Sequence, residues 1–213
     1  MQVFDISMPI REDMPVWKGK KDKRPELTII RDYENGQGGR ETRLGLDMHT
    51  GTHIDAPLHF VYQGATMESI PLEALVRPAR VLDLTHVKGS IGADDLKPFS
   101  IKKKDFLLLK TANSFAEGWD PDFVFVDKTG AEALVNKGIT GVGIDALGIE
   151  RSQPEHETHL QLLGAGVVII EGLRLKSIEA GDFLMVAAPL SIPDVEAAPA
   201  RVLLLSGFDS GTL

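Results

Sequence analysis

The chain has 213 residues, 43% of them hydrophobic and 25% charged, which is the ordinary balance of a globular protein. Its 23 Lys and Arg against 31 Asp and Glu give a net charge of −8, which argues against broad binding to nucleic acid or anionic membranes. The absence of cysteine excludes disulfides, thiolate zinc sites and a cysteine nucleophile.

One domain over residues 1–213 is expected from this length, and the cytoplasm is the expected compartment. The first ten residues do not resemble a signal peptide, and no apolar run approaches the roughly 20 residues that span a bilayer. A basic cluster at Lys18, Lys20, Lys21, Lys23 and Arg24 is interrupted by Asp22. We interpret this cluster as part of a long, solvated surface loop over residues 11–24.

The predicted elements are mostly short strands. Strands are predicted at residues 3–7, 27–31, 42–47, 80–84, 106–109, 142–144, 167–170, 183–186 and 202–205. Helices are predicted over residues 131–136, ending at Gly138, and over residues 156–163. The first third is expected to be antiparallel, whereas the later strand–helix–strand units indicate some parallel sheet. The pattern therefore predicts an α/β domain with a mixed sheet of short strands and few helices.

A dense group of candidate metal ligands begins at His49 and includes His53, Asp55 and His59. The β-branched residues at 50, 52 and 54 and the following proline argue against a helix here. In an extended strand, His49, Gly51, His53 and Asp55 would share one face, and the glycine would leave room for an ion. Two imidazoles and one carboxylate suit a catalytic zinc with an open position for water, and manganese or iron would also accept them. The alternative is a strand whose polar face simply meets water.

Two further candidates come later in the chain. Glu171 ends an apolar run, where a carboxylate is costly unless it is paired, protonated or bound to a metal. His159 lies on the second predicted helix. The spacing leaves alternatives open for both residues, namely a salt bridge from Glu171 to Arg174 and a surface position for His159.

The segment 49–59, His-Thr-Gly-Thr-His-Ile-Asp-Ala-Pro-Leu-His, resembles the signature of the cyclase family of metal-dependent hydrolases. That family includes bacterial kynurenine formamidases and isatin hydrolases. Residues 5–7, 14–17, 138–145, 171–173, 181–183, 188–190 and 199–202 resemble other parts of the family pattern. The resemblance spans nearly the whole chain and implies a cyclase-like fold of the swivelling β/β/α type. The chain departs from the formamidase pattern Trp-Pro-Gly-Asp, because it reads Trp-Lys-Gly-Lys at residues 17–20.

The resemblance also implies a site for two metal ions. His49, His53 and Asp55 match the ligands of one ion, and His159 matches a ligand of the second. Asp55 and Glu171 match the carboxylates that bridge the two ions. Zinc, two ions per chain, is the expected cofactor, with manganese as the other possibility. A homodimer or a larger homo-oligomer is implied as well.

Two residues match functional positions outside the metal ligands. His59 matches the acid/base residue, and Trp17 matches a tryptophan that lines the substrate pocket. For Trp17 the alternative is packing in the core or against another subunit. The expected function is hydrolysis of an amide bond in a small aromatic or cyclic substrate by a metal-bound hydroxide. Two alternatives are ring opening or closing of a cyclic amide or lactone, and a non-catalytic metal-stabilised binding protein.

Overall fold

The computed structural model describes residues 1–207, so residues 208–213 of the expected 1–213 domain lie outside the described residues. The strands are β1 (Gln2–Asp5), β2 (Glu26–Arg31), β3 (Glu41–Gly45), β4 (His53–Asp55), β5 (Val76–Asp83), β6 (Ser90–Ile91), β7 (Phe106–Lys110), β8 (Phe125–Val126), β9 (Gly141–Ile144), β10 (Val168–Glu171), β11 (Gly181–Pro189) and β12 (Ala197–Ser206). The α-helices are α1 (Leu72–Leu75), α2 (Ala93–Leu96), α3 (Lys128–Lys137) and α4 (Glu157–Gly164).

Seven strands close into a barrel-like mixed sheet in the order β12-β11-β5-β7-β9-β10-β4, after which β4 pairs with β12 again. Closure is possible because β12 is long: Ala197–Pro199 pairs with β4, while its other end pairs with β1. Strands β5, β7, β9 and β10 are parallel, and the remaining pairings within the ring are antiparallel. These findings confirm the predicted α/β fold with a mixed sheet and few helices.

Two hydrophobic layers lie on either side of this sheet, because successive side chains of a strand point in opposite directions. Phe106 and Leu108 of β7 pack inside the barrel with Met185 of β11. The alternate residues Leu107 and Leu109 pack outside it, in the layer that also contains side chains of α3 and α4. Parallel strands that are covered on both faces have nearly continuous apolar sequences. This pattern explains why these strands could be predicted from the sequence.

The predicted strands and both predicted helices are confirmed with small shifts in their bounds. Helix α3 ends as predicted at Gly138, which adopts a left-handed backbone with φ of 66°. The short elements α1, α2, β6 and β8 were not predicted. Within residues 1–207, no helix combines the length and the hydrophobicity required to span a membrane.

The prediction of one extended strand over residues 49–55 is wrong for its first half. Only His53–Asp55 forms a strand, whereas residues 49–52 form turns. Gly51 has a φ of 65°, a conformation that glycine adopts without the penalty of a Cβ atom. The chain therefore changes direction between His49 and His53.

Candidate metal centre

Strands β4 and β10 place a histidine and a carboxylate side by side. His53 and Glu171 are directly paired across these antiparallel strands, and His53 Nε2 lies 3.3 Å from Glu171 Oε2. Asp55 follows two residues later on the same face, with its Oδ1 3.4 Å from His53 Nε2. His53 Nδ1 contacts the carbonyl oxygen of Gly51 at 2.9 Å. Since a carbonyl can only accept, Nδ1 carries the hydrogen and Nε2 faces the two carboxylates.

The turns before and after β4 add two more imidazoles. His49 Nδ1 lies 3.1 Å from Asp55 Oδ1. The two side chains therefore meet as predicted, but through the turn at Gly51 and not along one extended strand. His59 ends a 3-10 turn over Pro57–His59, and its ring lies 4.0 Å from that of His49 between centroids.

Helix α4 supplies the fifth and last of the predicted ligands. His159 Nε2 lies 3.3 Å from Glu171 Oε1 and 3.7 Å from Asp55 Oδ2, and the residue is only 6% exposed. The alternative of a surface position for His159 is therefore wrong. The alternative salt bridge from Glu171 to Arg174 is also wrong, because Glu171 instead contacts His53 and His159 and accepts a hydrogen bond from the Ile149 N–H.

The structure therefore brings the six predicted residues together, and we call them the histidine–carboxylate cluster: His49, His53, Asp55, His59, His159 and Glu171. Two groups of three have ligand atoms within 4.8 Å of one another, namely His49, Asp55 and His59, and His53, Asp55 and Glu171. Asp55 belongs to both groups.

Glu150 is a site residue that the sequence reasoning missed. Its Oε2 accepts a hydrogen bond from the backbone N–H of His159 at 2.9 Å and lies 3.4 Å from His159 Nδ1. Its Oε1 lies 2.8 Å from Nδ1 of His156, an exposed histidine beside the cavity. No spacing in the sequence marks this contact, because it arises where the loop between β9 and α4 folds back on the helix.

The buried polar atoms of the cluster test whether a cation fits. Among residues 1–207, both carboxylate oxygens of Asp55, the Nε2 atoms of His49 and His53, and both ring nitrogens of His159 are buried without a hydrogen bond, although several of these atoms approach one another at 3.4–3.7 Å. Buried polar groups are normally paired, and unpaired buried charge is costly. Imidazole nitrogens and carboxylate oxygens are the ligands that zinc and manganese accept. The cluster therefore fits a divalent metal.

The electrostatics of the cluster favour positive charge. Burial alone lowers the pKa of His53, but the adjacent Glu171 and Asp55 carboxylates outweigh it and raise the pKa to about 9. His159 is likewise desolvated, yet Glu150, Glu171 and Asp55 raise its pKa to about 10. Burial raises the pKa of Glu171, but His159 and His53 shift it well below its ordinary value. His59 differs, because burial dominates and lowers its pKa to about 4.

A cavity of about 860 Å³ opens onto this cluster. His49, His59, His159 and Glu171 line it, together with the aromatic residues Trp17, Phe60, Trp119 and Phe123. The Trp17 ring packs edge-on against Trp119, with centroids 4.6 Å apart. Gly148 makes room for it, since a Cβ at that position would lie 2.7 Å from the Trp17 ring. The structure thus places the predicted Trp17 in the cavity wall.

Comparison with known proteins gives the same family on independent grounds. The Cyclase family model ("Putative cyclase") matches residues 4–151. Kynurenine formamidase of Bacillus mycoides is 31% identical over 205 residues, covering 95% of this chain and 97% of that protein. A solved structure described as a predicted metal-dependent hydrolase from Bacillus stearothermophilus is 52% identical, with a TM-score of 0.88 and coverage of 95% and 97%.

A more distant solved structure shows that the fold itself is shared. Isatin hydrolase A from Labrenzia aggregata is 24% identical and superposes with a TM-score of 0.83, covering 95% of this chain and 93% of that one. At that identity the likeness concerns the fold alone.

The barrel-like fold, the histidine–carboxylate cluster and the relatives together define a metal-dependent hydrolase. The chain belongs to the cyclase family, which confirms the resemblance drawn from the sequence.

Proposed function

We propose that this protein cleaves the amide bond of a small aromatic or cyclic substrate. The observation that carries the proposal is the histidine–carboxylate cluster, with its buried unpaired ligand atoms, on a cavity walled by aromatic rings. A kynurenine formamidase at 31% identity over nearly the whole chain supports an amide as the reacting group. Flat apolar walls such as Trp17 and Trp119 suit an aromatic ring.

The proposed cofactor is two zinc ions per chain, with manganese as the alternative. His49, His53 and Asp55 would hold one ion, His159 would hold the second, and Asp55 and Glu171 would lie between them. The membership of Asp55 in both three-residue groups supports its place between the two ions, although these groups separate His49 from His53 and contain His59 instead of His159. The same geometry also allows His59 to join His49 and Asp55 as a ligand, so its role needs a direct test.

The metal, when bound, would acidify a water molecule and polarise the amide carbonyl. His59 acts as the proton carrier: burial lowers its pKa to about 4, so the imidazole is neutral near pH 7 and, once protonated, readily gives the proton to the leaving nitrogen. Trp17 and Phe123 hold the aromatic ring and keep bulk water from the reacting atoms. Glu150 keeps the His159 ring oriented with Nε2 toward Glu171.

The test is hydrolysis of formanilide by protein loaded with zinc or manganese, with isatin as a second substrate. We expect release of aniline and formate from formanilide in proportion to metal content. Opening of isatin without hydrolysis of formanilide would limit the substrate to cyclic amides, which is the ring-opening alternative. Full metal content with neither reaction would overturn it in favour of a metal-stabilised binding protein.

We further propose that the protein acts on its small-molecule substrate as a cytoplasmic homodimer or larger homo-oligomer, without a nucleic-acid or membrane partner. The β2–β3 hairpin supports self-association, because Leu27, Ile29 and Leu44 lie exposed on one of its faces. A two-stranded hairpin with an uncovered apolar face is marginal by itself. Light scattering should give at least a dimer mass that falls in the Leu27→Glu/Leu44→Glu variant; a monomeric parent would overturn this.

A further inference from the structure

We propose that Lys18 and Lys20 form an anion-binding subsite at the mouth of the cavity, so that the preferred substrate is an aryl amide carrying a carboxylate or similar anion. This inference rests on the proposed function and names the substrate class of the same site. It concerns the end of the substrate that does not react.

The first observation is where the basic cluster of the loop lies. The sequence indicated a solvated loop, but Lys18, Lys20 and Lys23 line the cavity that also holds His59 and Glu171. Lys18 and Lys20 are exposed, so they border the opening. The same loop carries Trp17 in the cavity wall, so a ring lying against Trp17 would have an ammonium group from the next residue close by.

The second observation is that the acidic residues of the cavity already have partners. Asp47 pairs with Lys23 at 3.0 Å, Glu150 contacts His156 and His159, and Glu171 contacts His53 and His159. In residues 1–207, no carboxylate forms a salt bridge with Lys18 or Lys20.

The guanidinium group of Arg151, which also lines the cavity, is already hydrogen-bonded to backbone carbonyl oxygens. Arg151 donates from Nε to the Phe123 carbonyl oxygen at 2.7 Å and from its guanidinium to the Asp122 carbonyl oxygen. The opening therefore carries two uncompensated ammonium groups on a protein whose net charge is −8. A local excess of positive charge at a cavity mouth raises the local concentration of anions and their association rate.

The third observation is the backbone that presents these lysines. Lys18 has a φ of 56° and Gly19 a φ of 62°, so two consecutive left-handed residues turn the chain between Lys18 and Lys20. A left-handed backbone conformation is strained for lysine because of its Cβ atom, whereas glycine, which lacks a Cβ atom, adopts it without this strain. Strained residues concentrate at ligand-binding sites, where the surrounding structure holds them in place. This turn lets two lysines two positions apart border one cavity.

The test compares 4-formamidobenzoate with its neutral isostere 4-formamidobenzamide on the metal-loaded protein. We expect a higher kcat/KM for the benzoate, and a preference that weakens as ionic strength rises, because exposed charges are screened. In Lys18→Glu/Lys20→Glu, the ratio of the two kcat/KM values should fall about tenfold or more, the lower end of electrostatic steering effects. An unchanged ratio would overturn the subsite.

Lys102→Glu/Lys103→Glu is the matched control, since it makes the same change in net charge with two exposed lysines outside the cavity lining. Its ratio should equal that of the parent. A similar fall in the control would show a general charge effect and would contradict a local subsite.

A binding measurement separates this inference from the proposed function. Trp17 and Trp119 are the two tryptophans of the chain and both line the cavity, so tryptophan fluorescence reports its occupancy. If neither formamide is hydrolysed, the proposed function fails, yet titration with 4-acetamidobenzoate and 4-acetamidobenzamide still tests the lysines. Tighter benzoate binding that is lost in Lys18→Glu/Lys20→Glu would support the subsite. Benzoate binding unaffected by the variant would mean that the anion binds elsewhere, such as at the metal, and would overturn it.

Discussion

At the residue scale, His53, His59 and His159 differ in pKa because each lies differently relative to Asp55 and Glu171. His53 and His159 each approach a carboxylate oxygen of Glu171 at 3.3 Å, and their pKa values rise. His59 is desolvated without a comparably close carboxylate, and its pKa falls to about 4. The first two therefore lie where positive charge is favoured, whereas His59 is neutral at pH 7 and would give up a proton readily.

His59→Ala is expected to keep its bound metal and lose activity by about 10²–10⁴-fold, the usual effect of removing an acid/base group. Elemental analysis and kcat/KM for formanilide measure the two quantities on the same preparation. The control is His86→Ala, because His86 is exposed and outside the cluster. Retained activity would remove His59 from the mechanism. Loss of metal would make His59 a ligand beside His49 and Asp55.

Glu150→Gln is expected to lower metal affinity by about 10–100-fold, because the Glu150 carboxylate accepts from the His159 backbone N–H and lies 3.4 Å from the ring Nδ1, where an uncharged amide would interact less strongly with the ring. Competition against a fluorescent zinc chelator measures the affinity, and Glu150→Asp should recover part of it. Glu155→Gln is the control, since Glu155 is exposed on the same loop. Parent-like affinity in Glu150→Gln would exclude this positioning role.

At the scale of elements, the turn before β4 is held against the end of β10. Thr52 Oγ1 donates to the Gly172 carbonyl at 2.6 Å and accepts from the Met8 N–H at 2.7 Å. A Cβ on Gly172 would lie 2.3 Å from the Gly51 carbonyl oxygen, and Gly172 has a φ of 70°. The approach of this turn to the end of β10, where His53 lies beside Glu171, therefore requires glycine at this position.

Gly172→Ala should destabilise the fold by about 2–4 kcal/mol, the sum of left-handed backbone strain and a clash with backbone, and should weaken metal binding as well. Chemical denaturation measures the first effect and metal titration the second. Gly166→Ala is the matched control: its φ is 72°, but a Cβ there would meet open space, so only the strain of about 1–2 kcal/mol is expected. Equal losses in the two variants would contradict the close-packing argument.

The sequence predicted elements better than their arrangement. Apolar runs such as those of β7 and β10 identify buried strands, because their signal is local. Closure of the barrel depends on Ala198 of β12 meeting Ile54 of β4, a contact between distant segments that no local pattern carries. The error at residues 49–52 has a similar origin, because alternation of residue types does not reveal that Gly51 is left-handed.

The candidate site was more predictable than the fold, for a chemical reason. The residues of the histidine–carboxylate cluster are of metal-binding types, and the short spacing of His49, His53, Asp55 and His59 made these four stand out. His159 and Glu171 were matched to ligands through the family resemblance, because spacing alone left alternatives open for both. Glu150 did not stand out, since a single acid on a loop is ordinary until the structure places it 3.4 Å from His159 Nδ1. The role of the basic loop at the cavity also needed the three-dimensional structure.

At the scale of the whole molecule, metal and protons should compete for the cluster. With pKa values of about 9 and 10, His53 and His159 are protonated at pH 7.5 in the metal-free protein. Metal binding must displace both protons, so we expect release of roughly two protons per chain. Calorimetry in buffers of different ionisation enthalpy measures this number. Binding without proton release would contradict these pKa shifts.

The same shifts set the pH dependence of stability in the metal-free protein. His53 and His159 have pKa values in the folded protein above the ordinary 6.5, so their protonated forms stabilise the fold. This contribution to the free energy of unfolding is complete below about pH 6.5 and is lost as pH rises through about 9 and 10. Metal-free protein should therefore have a lower Tm at pH 9.5 than at pH 7, and bound metal should reduce that difference. A metal-free Tm that rises over this range would show that the histidines are not stabilised in their protonated form.

The geometry of the histidine–carboxylate cluster indicates that it binds divalent metal. The most direct measurement is the metal content of the purified protein by elemental analysis, beside His53→Ala and the control His86→Ala. We expect about two zinc or manganese ions per chain in the parent and in His86→Ala, with a sharp reduction in His53→Ala. Absence of metal from the parent after incubation with zinc and manganese, or an undiminished content in His53→Ala, would contradict it.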